Sequence, residues 1–529
     1  MGKKRKDKRR AQAAFPGSGS GYGHHGASGI KSGVRHWYPH SSNADDDIVR
    51  NITELRERSR DLYMGSSIAS GVIKTLRTNI VGSGLMLSAQ IDFETLGMTA
   101  EEAREWEKKT EREWLLWSSG NWCDAERRQN FYQLQSLVTI SALLSGDVFV
   151  ALPLAKTKGC PYDLRVSLIE ADRVCNPQDK SISLETDVLG GVEVDRRGQP
   201  IAYYIANRTP GSILNSTGQT LSWQRIRAFG EKTGRPNILQ IFGDIERPSQ
   251  RRGLPILSPV IKEMKLLAEY AQSEVNAAAV SSKFTVYVKT KGERTLNLPP
   301  PMGAYEQASM GQYADRSPRD YQIGEGAVVF LDPEEELQFA DPKRPNTAFG
   351  EFVKSVCRQI GAALEIPYEV LIKEFTSSYS ASRGALLEAW KMFRMRREWL
   401  VSSFCQPVYE EWLTEAILKG RIEAPGFFED PVVRKAWCGA EWFGDNQGQL
   451  DPVKEVSAAA LRVENGFSTR EREAAELTGL KFDSILAVRA VEEAAMKETA
   501  PSGQTDKETS PDDSDEEDES LDNLEDNDG

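Results

Sequence analysis

An α+β fold in which helices predominate is the class predicted for this chain of 529 residues, on three observations. Apolar residues recur at three- and four-residue spacing through residues 256–282, 349–364 and 386–412, which puts them on one side of helices. Between residues 148 and 242 the period changes to that of strands, with turn residues separating the apolar runs. The length exceeds what one hydrophobic core usually holds, so two or more lobes are expected.

In chain order, residues 1–44 are rich in Lys and Arg and then in Gly and Ser (GSGSGYGHHGASG), the composition of a flexible arm. A helical pattern runs from Asp45 to Ile80 and stops at Gly82 and Gly84. Thr99 with Glu102 has the spacing of a capping box, opening a helix whose Trp106, Trp114 and Trp117 read as core. The helix Phe131–Ser145 ends at Gly146. Strands are expected at Val148–Leu154, Arg165–Glu170, Gly191–Val194, Gln199–Ile205, Trp223–Phe229 and Ile238–Phe242, with Asp195-Arg196-Arg197-Gly198 turning a hairpin. The long helix Ile256–Ser282 becomes rich in Ala and Ser in its last turns, where small side chains let neighbouring helices approach closely. Strand-like Phe284–Lys289 and Val328–Leu331 flank a connection rich in Pro, Gly and Tyr.

The next stretch reads as helix, polar loop, helix. Phe349, Phe352, Val353, Val356, Ile360 and Leu364 share one side of the first helix, and Lys354, Arg358, Gly361 and Glu365 the other. Pro367 stops it, because the residue before a proline is pushed out of the α region. Tyr368–Arg383 is polar and Ser-rich. The second helix begins near Ala381 and carries Leu386, Trp390, Phe393, Leu400, Phe404, Val408 and Trp412 on one stripe. Pro407 is expected to kink it by removing a donor and crowding the Ser403 carbonyl. Arg397 projects into the stripe, so burial would demand a carboxylate or carbonyl partner. Beyond Gly420 come an aromatic cluster (Trp437, Trp442, Phe443), the helix Pro452–Glu464 closed by Asn465-Gly466, and a helix opened by Ser468 with Glu471.

Charge is placed unevenly. Residues 1–10 carry +6 and residues 506–529 carry −12, so of the total of −13 only about −7 falls between them. A body that grips duplex DNA tightly is normally basic throughout, because phosphate neutralisation supplies most of the affinity. The four histidines, His24, His25, His36 and His40, all precede residue 41, so a histidine-dependent nucleophile or zinc site has no histidine in the expected folded body. Cys123, Cys160, Cys175, Cys357, Cys405 and Cys438 are scattered without metal-ligand spacing and read as reduced thiols. No phosphate-binding GxxxxGK[ST] occurs, so nucleotide-driven work must come from another protein. Glu170 and Asp172 are the carboxylates a Mg²⁺-dependent nuclease would need, though such sites require further convergent acids. No apolar run reaches the roughly 18 residues of a membrane span, no signal-peptide core is present, and Lys6 spoils a myristoylation signal, so a soluble intracellular assembly environment is expected.

The words IGAALEIPYEVLIKEF (360–375), SYSASRGALLEAWKMFR (378–394) and FCQPVYEEWL (404–413) resemble the lambda-type family of tailed-phage portal proteins. So do RSRDLYMGSSIASGVIKTLRTNIVGSGL (58–85), GDVFV (146–150), VEVDRRGQPIAYYI (192–205), ERPSQRRGLPILSPV (246–260) and DPVKEVSAAALRVENGFSTRERE (451–473), which follow in family order. The resemblance implies a ring-forming portal fold: arm 1–44, wing 45–252, stem helix 253–282, clip 283–345, second stem helix 346–366, tunnel loop 367–383, long helix 384–426, crown 427–496 and acidic tail 497–529.

By that resemblance the protein is a virion component at one capsid vertex, a homo-oligomeric ring, usually a dodecamer, through which double-stranded DNA is packaged and ejected. The implied partners are the terminase large subunit, major capsid and scaffolding proteins and the head-tail neck proteins, with no membrane, cofactor, metal or catalytic residue. Lys373, Ser377, Ser378, Tyr379, Ser380 and Arg383 are the candidates for DNA contact in the channel. Lys289, Lys291 and Arg294 are candidates for motor docking at the clip. Arg247, Arg251 and Arg252, in a turn with a basic surface, are candidates for an inter-subunit salt bridge or a phosphate contact. Two other readings stand beside this one: a carboxylate- and Mg²⁺-dependent nuclease or terminase-like packaging enzyme, and a monomeric nucleic-acid adaptor using the basic arm.

Overall fold

In the computed structural model the described residues are 42–177, 187–211, 220–283, 286–290, 335–339, 349–376, 378–445, 452–478 and 482–499, with a few isolated positions before residue 42. They belong to two units, one up to residue 447 and one from residue 448 onward.

The first unit opens with three helices, α1 (Ala44–Ile48), α2 (Ile52–Gly65) and α3 (Ser67–Ile80), where the sequence predicted one continuous pattern. Ser66 explains the break between the last two: its backbone is extended, its N–H closes α2 on Leu62, and its hydroxyl accepts from the Ala69 N–H to start α3. β1 (Met86–Ala89) and the short α4 (Phe93–Leu96) lead to α5 (Ala100–Ser118). The Thr99–Glu102 capping box is formed in both directions. A second box, Asn130 with Gln133, opens α6 (Phe131–Ser145), which ends at Gly146 as its sequence predicts.

The strands form small antiparallel sheets. β2 (Asp147–Ala151) is central between β3 (Ser167–Ile169) and β8 (Ile238–Phe242). β4 (Asp187–Leu189), β5 (Val192–Val194), β6 (Pro200–Ala206) and β7 (Trp223–Arg227) make a four-stranded meander. The predicted hairpin turn is held by Asp195, whose carboxylate accepts from the Arg197 and Gln199 N–H groups, both at 2.8 Å.

A 3₁₀ turn at Ser258–Val260 precedes α7 (Ile261–Lys283), so the α-helix starts later than the predicted Ile256. Met264 and Leu267 are buried, but Val275, on the predicted apolar side, is exposed. β9 (Val286–Thr290) pairs with β10 (Glu335–Phe339). The predicted strand Val328–Leu331 lies outside the described residues, and the partner of β9 is found further along the chain. Then come α8 (Phe349–Ala363), α9 (Tyr368–Ile372), α10 (Tyr379–Leu400), α11 (Gln406–Leu418), α12 (Pro431–Trp437) and β11 (Ala440–Phe443), which pairs with β1.

Trp114 organises the main core. The rings of Trp117, Phe131, Tyr409, Trp412 and Trp442 lie 5.0 to 5.9 Å from it, four of the five edge-on. These contacts tie α5 and α6 to α11 and β11, and each such buried side chain stabilises the fold by roughly 1.5–3 kcal/mol. Among the described residues no helix is long and apolar enough to cross a membrane.

The second unit contains α13 (Pro452–Glu464), α14 (Arg470–Thr478) and α15 (Phe482–Thr499). Arg462 on α13 makes a two-bond pair, 2.6 and 2.8 Å, with Glu473 on α14. Gly466 takes the left-handed conformation predicted for it after α13. The cap of α14 is shifted by one residue from the prediction: the Thr469 hydroxyl, rather than that of Ser468, accepts from the Arg472 N–H.

Candidate nucleic-acid interface

The polar loop between the two helices is built by how each helix stops. On α8, Cys357, Ile360 and Leu364 are buried, with Val353 and Val356 packed against the same core. The chain then turns through Glu365, at φ +57°, while the Ile366 N–H returns to the Gly361 carbonyl at 2.9 Å. Gly361 is therefore buried, contrary to its predicted place on the exposed side, and a Cβ there would lie 2.5 Å from the Ile366 oxygen. After Pro367, the single turn α9 is anchored by buried Val370 and Leu371.

Lys373 ends α9 in the left-handed region at φ +59°, its N–H on the Glu369 carbonyl, and its side chain is exposed. The Tyr368 hydroxyl donates to Glu374 at 3.2 Å, and the Arg358 guanidinium lies 5.3 Å over the Tyr368 ring. Burial, with the Glu374 carboxylate beside it, pushes the Tyr368 phenol up. Phe375 is half exposed. Ser378 caps α10, its hydroxyl accepting from the Ala381 N–H at 3.4 Å.

Between α9 and α10 the described residues outside helix are thus Lys373–Thr376 and Ser378, a shorter stretch than residues 367–383. Tyr379, Ser380 and Arg383 belong to the first turns of α10. The reason is local: Ser378 supplies a cap that the run of serines concealed. Ser380 is exposed, Arg383 is half-buried, and neither Lys373 nor Arg383 has an ion pair among the described residues. Ser377 lies outside the described residues. Beside the loop, Arg358, Glu365, Tyr368, Glu388, Lys391 and Met395 line a mixed-charge groove of about 560 Å³ between α8 and α10.

Further along α10, Arg397, for which a carboxylate or a carbonyl was expected, finds carbonyls: it donates to the backbone oxygens of Ile80 (2.9 Å), Asn79 (3.0 Å) and Asp445 (2.7 Å). Arg396 beside it is buried, held by the Gly243 carbonyl and Asp244. At Pro407 the backbone responds with a π turn, Val401–Cys405, between α10 and α11, which accommodates the donor missing opposite Ser403.

In the basic turn 247–252, Arg252 is not placed for the inter-subunit or phosphate contact expected of it. Arg252 is 2% exposed and does not reach the surface. Its guanidinium binds Asp147 at 2.7 and 3.0 Å and the carbonyls of Val174, Gly190 and Ala171. Asp147, fully buried, also receives Arg56 at 2.8 Å and the Gly253 N–H at 3.0 Å. Burial alone would raise this carboxyl, but Arg252 and Arg56 outweigh it and hold it below its ordinary value. Burial, with Arg252 nearby, pulls the Arg56 guanidinium down to about 10, still charged at neutral pH.

Arg251 pairs with Asp45 (3.0 Å) and Asp187, and Arg247 with Asp47, so these two cations are also engaged within the chain. The turn fastens α1, α2 and both sheets to the root of α7. At its edge a Cβ on Gly146, which sits at φ +88°, would fall 2.1 Å from the Gly253 oxygen. Asp147 escaped the sequence reading. Its signal was a lone carboxylate inside the apolar run LLSGDVFVALPL, which a charged residue enters only with partners.

The carboxylates considered for a metal are also committed: Asp172 to Arg56 and Arg60, Glu170 to Arg60 at 3.8 Å. Of the clip candidates, Lys289 lies in β9 opposite Glu336, while Lys291 and Arg294 fall outside the described residues.

Residues 31–397 match the family described as phage portal protein, lambda family. The chain is 25% identical over 473 residues to portal protein B of Escherichia phage lambda, covering 86% of each protein. It is 26% identical over 474 residues to the portal protein of Escherichia phage N15, covering 86% of this chain and 87% of that one. Among solved structures, a chain in the neck of a native GTA particle, computed with C12 symmetry, aligns over 80% of this chain and 92% of its own at 14% identity and a TM-score of 0.39. With the match running through both sheets, the arginine junction and the helix–loop–helix, the chain belongs to the lambda family of phage portal proteins.

Proposed function

We propose that copies of this chain close side by side into a ring, a dodecamer, at one capsid vertex, and that duplex DNA passes through its bore during packaging and ejection. Each subunit presents one face to the opposite face of its neighbour, and such heterologous contacts form a ring when the rotation closes. In this reading α7 and α8 are stem helices, β9 and β10 belong to the clip that docks the terminase motor and later the neck proteins, and Lys289, Lys291 and Arg294 contribute to that docking. The protein itself performs no chemistry, and capsid and scaffolding proteins surround it during assembly.

The observation that carries the reading is the state of the loop Lys373–Ser378. It is held in place by a left-handed cap on one side and a serine cap on the other, yet Lys373 and the Ser378 and Ser380 side chains face solvent. A sliding polyanion has to be confined without being gripped, because each firm phosphate contact adds to the affinity and slows release. One lysine without an ion pair among the described residues and a few hydroxyls per subunit, with Arg383 in the first turns of α10, meet that demand.

Deleting the serines would also remove the cap and first turn of α10, so a point substitution tests the idea more cleanly. With Lys373→Glu, rings are expected to assemble normally, while the length of DNA packaged, or its retention in the head, falls. Unchanged packaging and retention in particles built from this variant would take the loop out of the channel.

A further inference from the structure

Far from that loop in sequence, the segment between α5 and α6 builds a cationic surface that the channel does not require. Buried Asp124 accepts from the N–H groups of Glu126 (3.0 Å), Arg128 (2.8 Å) and Gln129 (3.0 Å), and so fixes the loop. Arg127 is held at φ +55°, with its carbonyl accepting from Asn121 at 2.9 Å. Its guanidinium stacks 5.0 Å over the Trp122 ring. A Cβ added to Gly159 would lie 3.7 Å from the same ring, so the turn at Thr157–Cys160 passes close to Trp122, and Lys156 and Lys158, in and next to that turn, are exposed.

Arg127, Lys156 and Lys158 have no ion pair among the described residues. Arg128 has only a loose contact with Glu126 at 3.6 Å. Arg128 also lines a groove of about 540 Å³ along the first turns of α6, together with Ser83, Gln129, Gln133 and Ser136 on its polar part and Tyr132, Leu137 and Ile140 on its apolar part. The acids nearby are committed: Asp163 to Lys419 at 3.2 Å, and Asp445 to the Ser83 N–H and hydroxyl at 2.8 and 2.9 Å.

We infer that this strip, Lys156–Lys158, Trp122–Arg127 and Arg128 with the α6 groove, is a second contact for the phosphate backbone of duplex DNA, outside the channel. The indole orients and partly desolvates the Arg127 guanidinium, so less freedom is lost when a phosphate docks. The N-terminal end of α6 adds favourable backbone polarity where the groove begins. Four exposed cations at loop tips, against exposed Glu126 and an Asp124 carboxylate that is buried and spent on backbone N–H groups, suit a repeating anion. That the polyanion is DNA rests on the portal reading above; the strip itself rests on its own geometry.

The test is the salt dependence of binding of the full-length protein to a random-sequence 30-base-pair duplex, followed by fluorescence anisotropy. Two variants are compared with the unaltered chain: Lys156→Gln with Lys158→Gln, and the same pair with Arg127→Gln. The slope of log affinity against log salt is expected to shrink by about 0.9 for each phosphate contact removed, with low-salt affinity down on the order of tenfold in the triple variant. Because the basic arm is unchanged throughout, the difference isolates the strip. If the triple variant fails to fold, the lysine pair, both exposed, decides alone. An unchanged slope overturns the inference. So does a loss of polyglutamate binding with DNA binding intact, which would assign the strip to an acidic protein. Negative-stain images of the same samples separate the two readings: absence of rings counts against the portal assignment, whereas rings with an unchanged slope count against the strip alone.

Discussion

The arginine junction at Asp147 and the loop Lys373–Ser378 are both short polar segments beside long helices, and they treat charge in opposite ways. At the junction the buried and half-buried cations are spent within the chain: Arg252 and Arg56 on Asp147, Arg251 on Asp45 and Asp187. At the loop both ends are closed by caps, Lys373 on the Glu369 carbonyl and Ser378 on the Ala381 N–H, but the Lys373 and Ser378 side chains are exposed. A basic turn therefore says little about partners until the burial of its neighbours is known. Immobility and availability are separate properties, and a conduit for DNA needs the first without losing the second.

The largest expected effect comes from breaking the junction. Asp147→Asn leaves two buried guanidinium groups without their carboxylate, and removing one partner of a buried pair costs about 3–5 kcal/mol. The denaturant midpoint of the variant is expected to drop accordingly, with ring yield falling alongside. A variant as stable as the parent would show that the arginines find other acceptors, and the contrast with the loop would fail.

Acid should reach the same site next. Because the folded Asp147 carboxyl titrates below its ordinary value, its contribution is complete above the unfolded carboxylate range and is lost as pH falls through the folded value. Stability measured downward from pH 5 should therefore decline in the parent with a steepness that Asp147→Asn lacks. Equal acid slopes in the two proteins would remove Asp147 from the account.

The sequence announced some of this architecture and concealed the rest for identifiable reasons. α6 and β8 ended where their patterns ended, because Asn130, Gly146 and strong apolar periods marked them. That Arg397 would need a polar partner followed from its place in an apolar stripe, though not that carbonyls rather than a carboxylate would supply it. Arg252, by contrast, sat among Arg247, Gln250 and Arg251 in a segment that looked solvated, and only tertiary packing places Asp147 against it. The pairing of Met86–Ala89 with Ala440–Phe443 joins distant segments that carry no mutual signal. Gly361 looked like part of a polar face because a close backbone approach leaves no trace in periodicity. Ser378 was not singled out as the start of α10, since one capping serine among several cannot be picked out by composition.

That capping serine is where the smallest effect is expected and where the comparison is most exposed. Ser378→Ala removes a side-chain acceptor that is already long, 3.4 Å from the Ala381 N–H, at an exposed helix end. N-cap losses of this kind cost about 0.5–1 kcal/mol and are local, because the rest of α10 is anchored by buried Trp390, Met392 and Phe393. Global stability should hardly move, while hydrogen exchange at the Ala381 and Ser382 amides should quicken several-fold as the first turn frays. The Lys373 end of the loop, closed by its own backbone turn on Glu369, should keep its protection. If Ser378→Ala instead destabilised the whole protein as deeply as Asp147→Asn, the loop would be a structural keystone like the arginine junction, and its exposed side chains could no longer be read as held in reserve for a passing polymer.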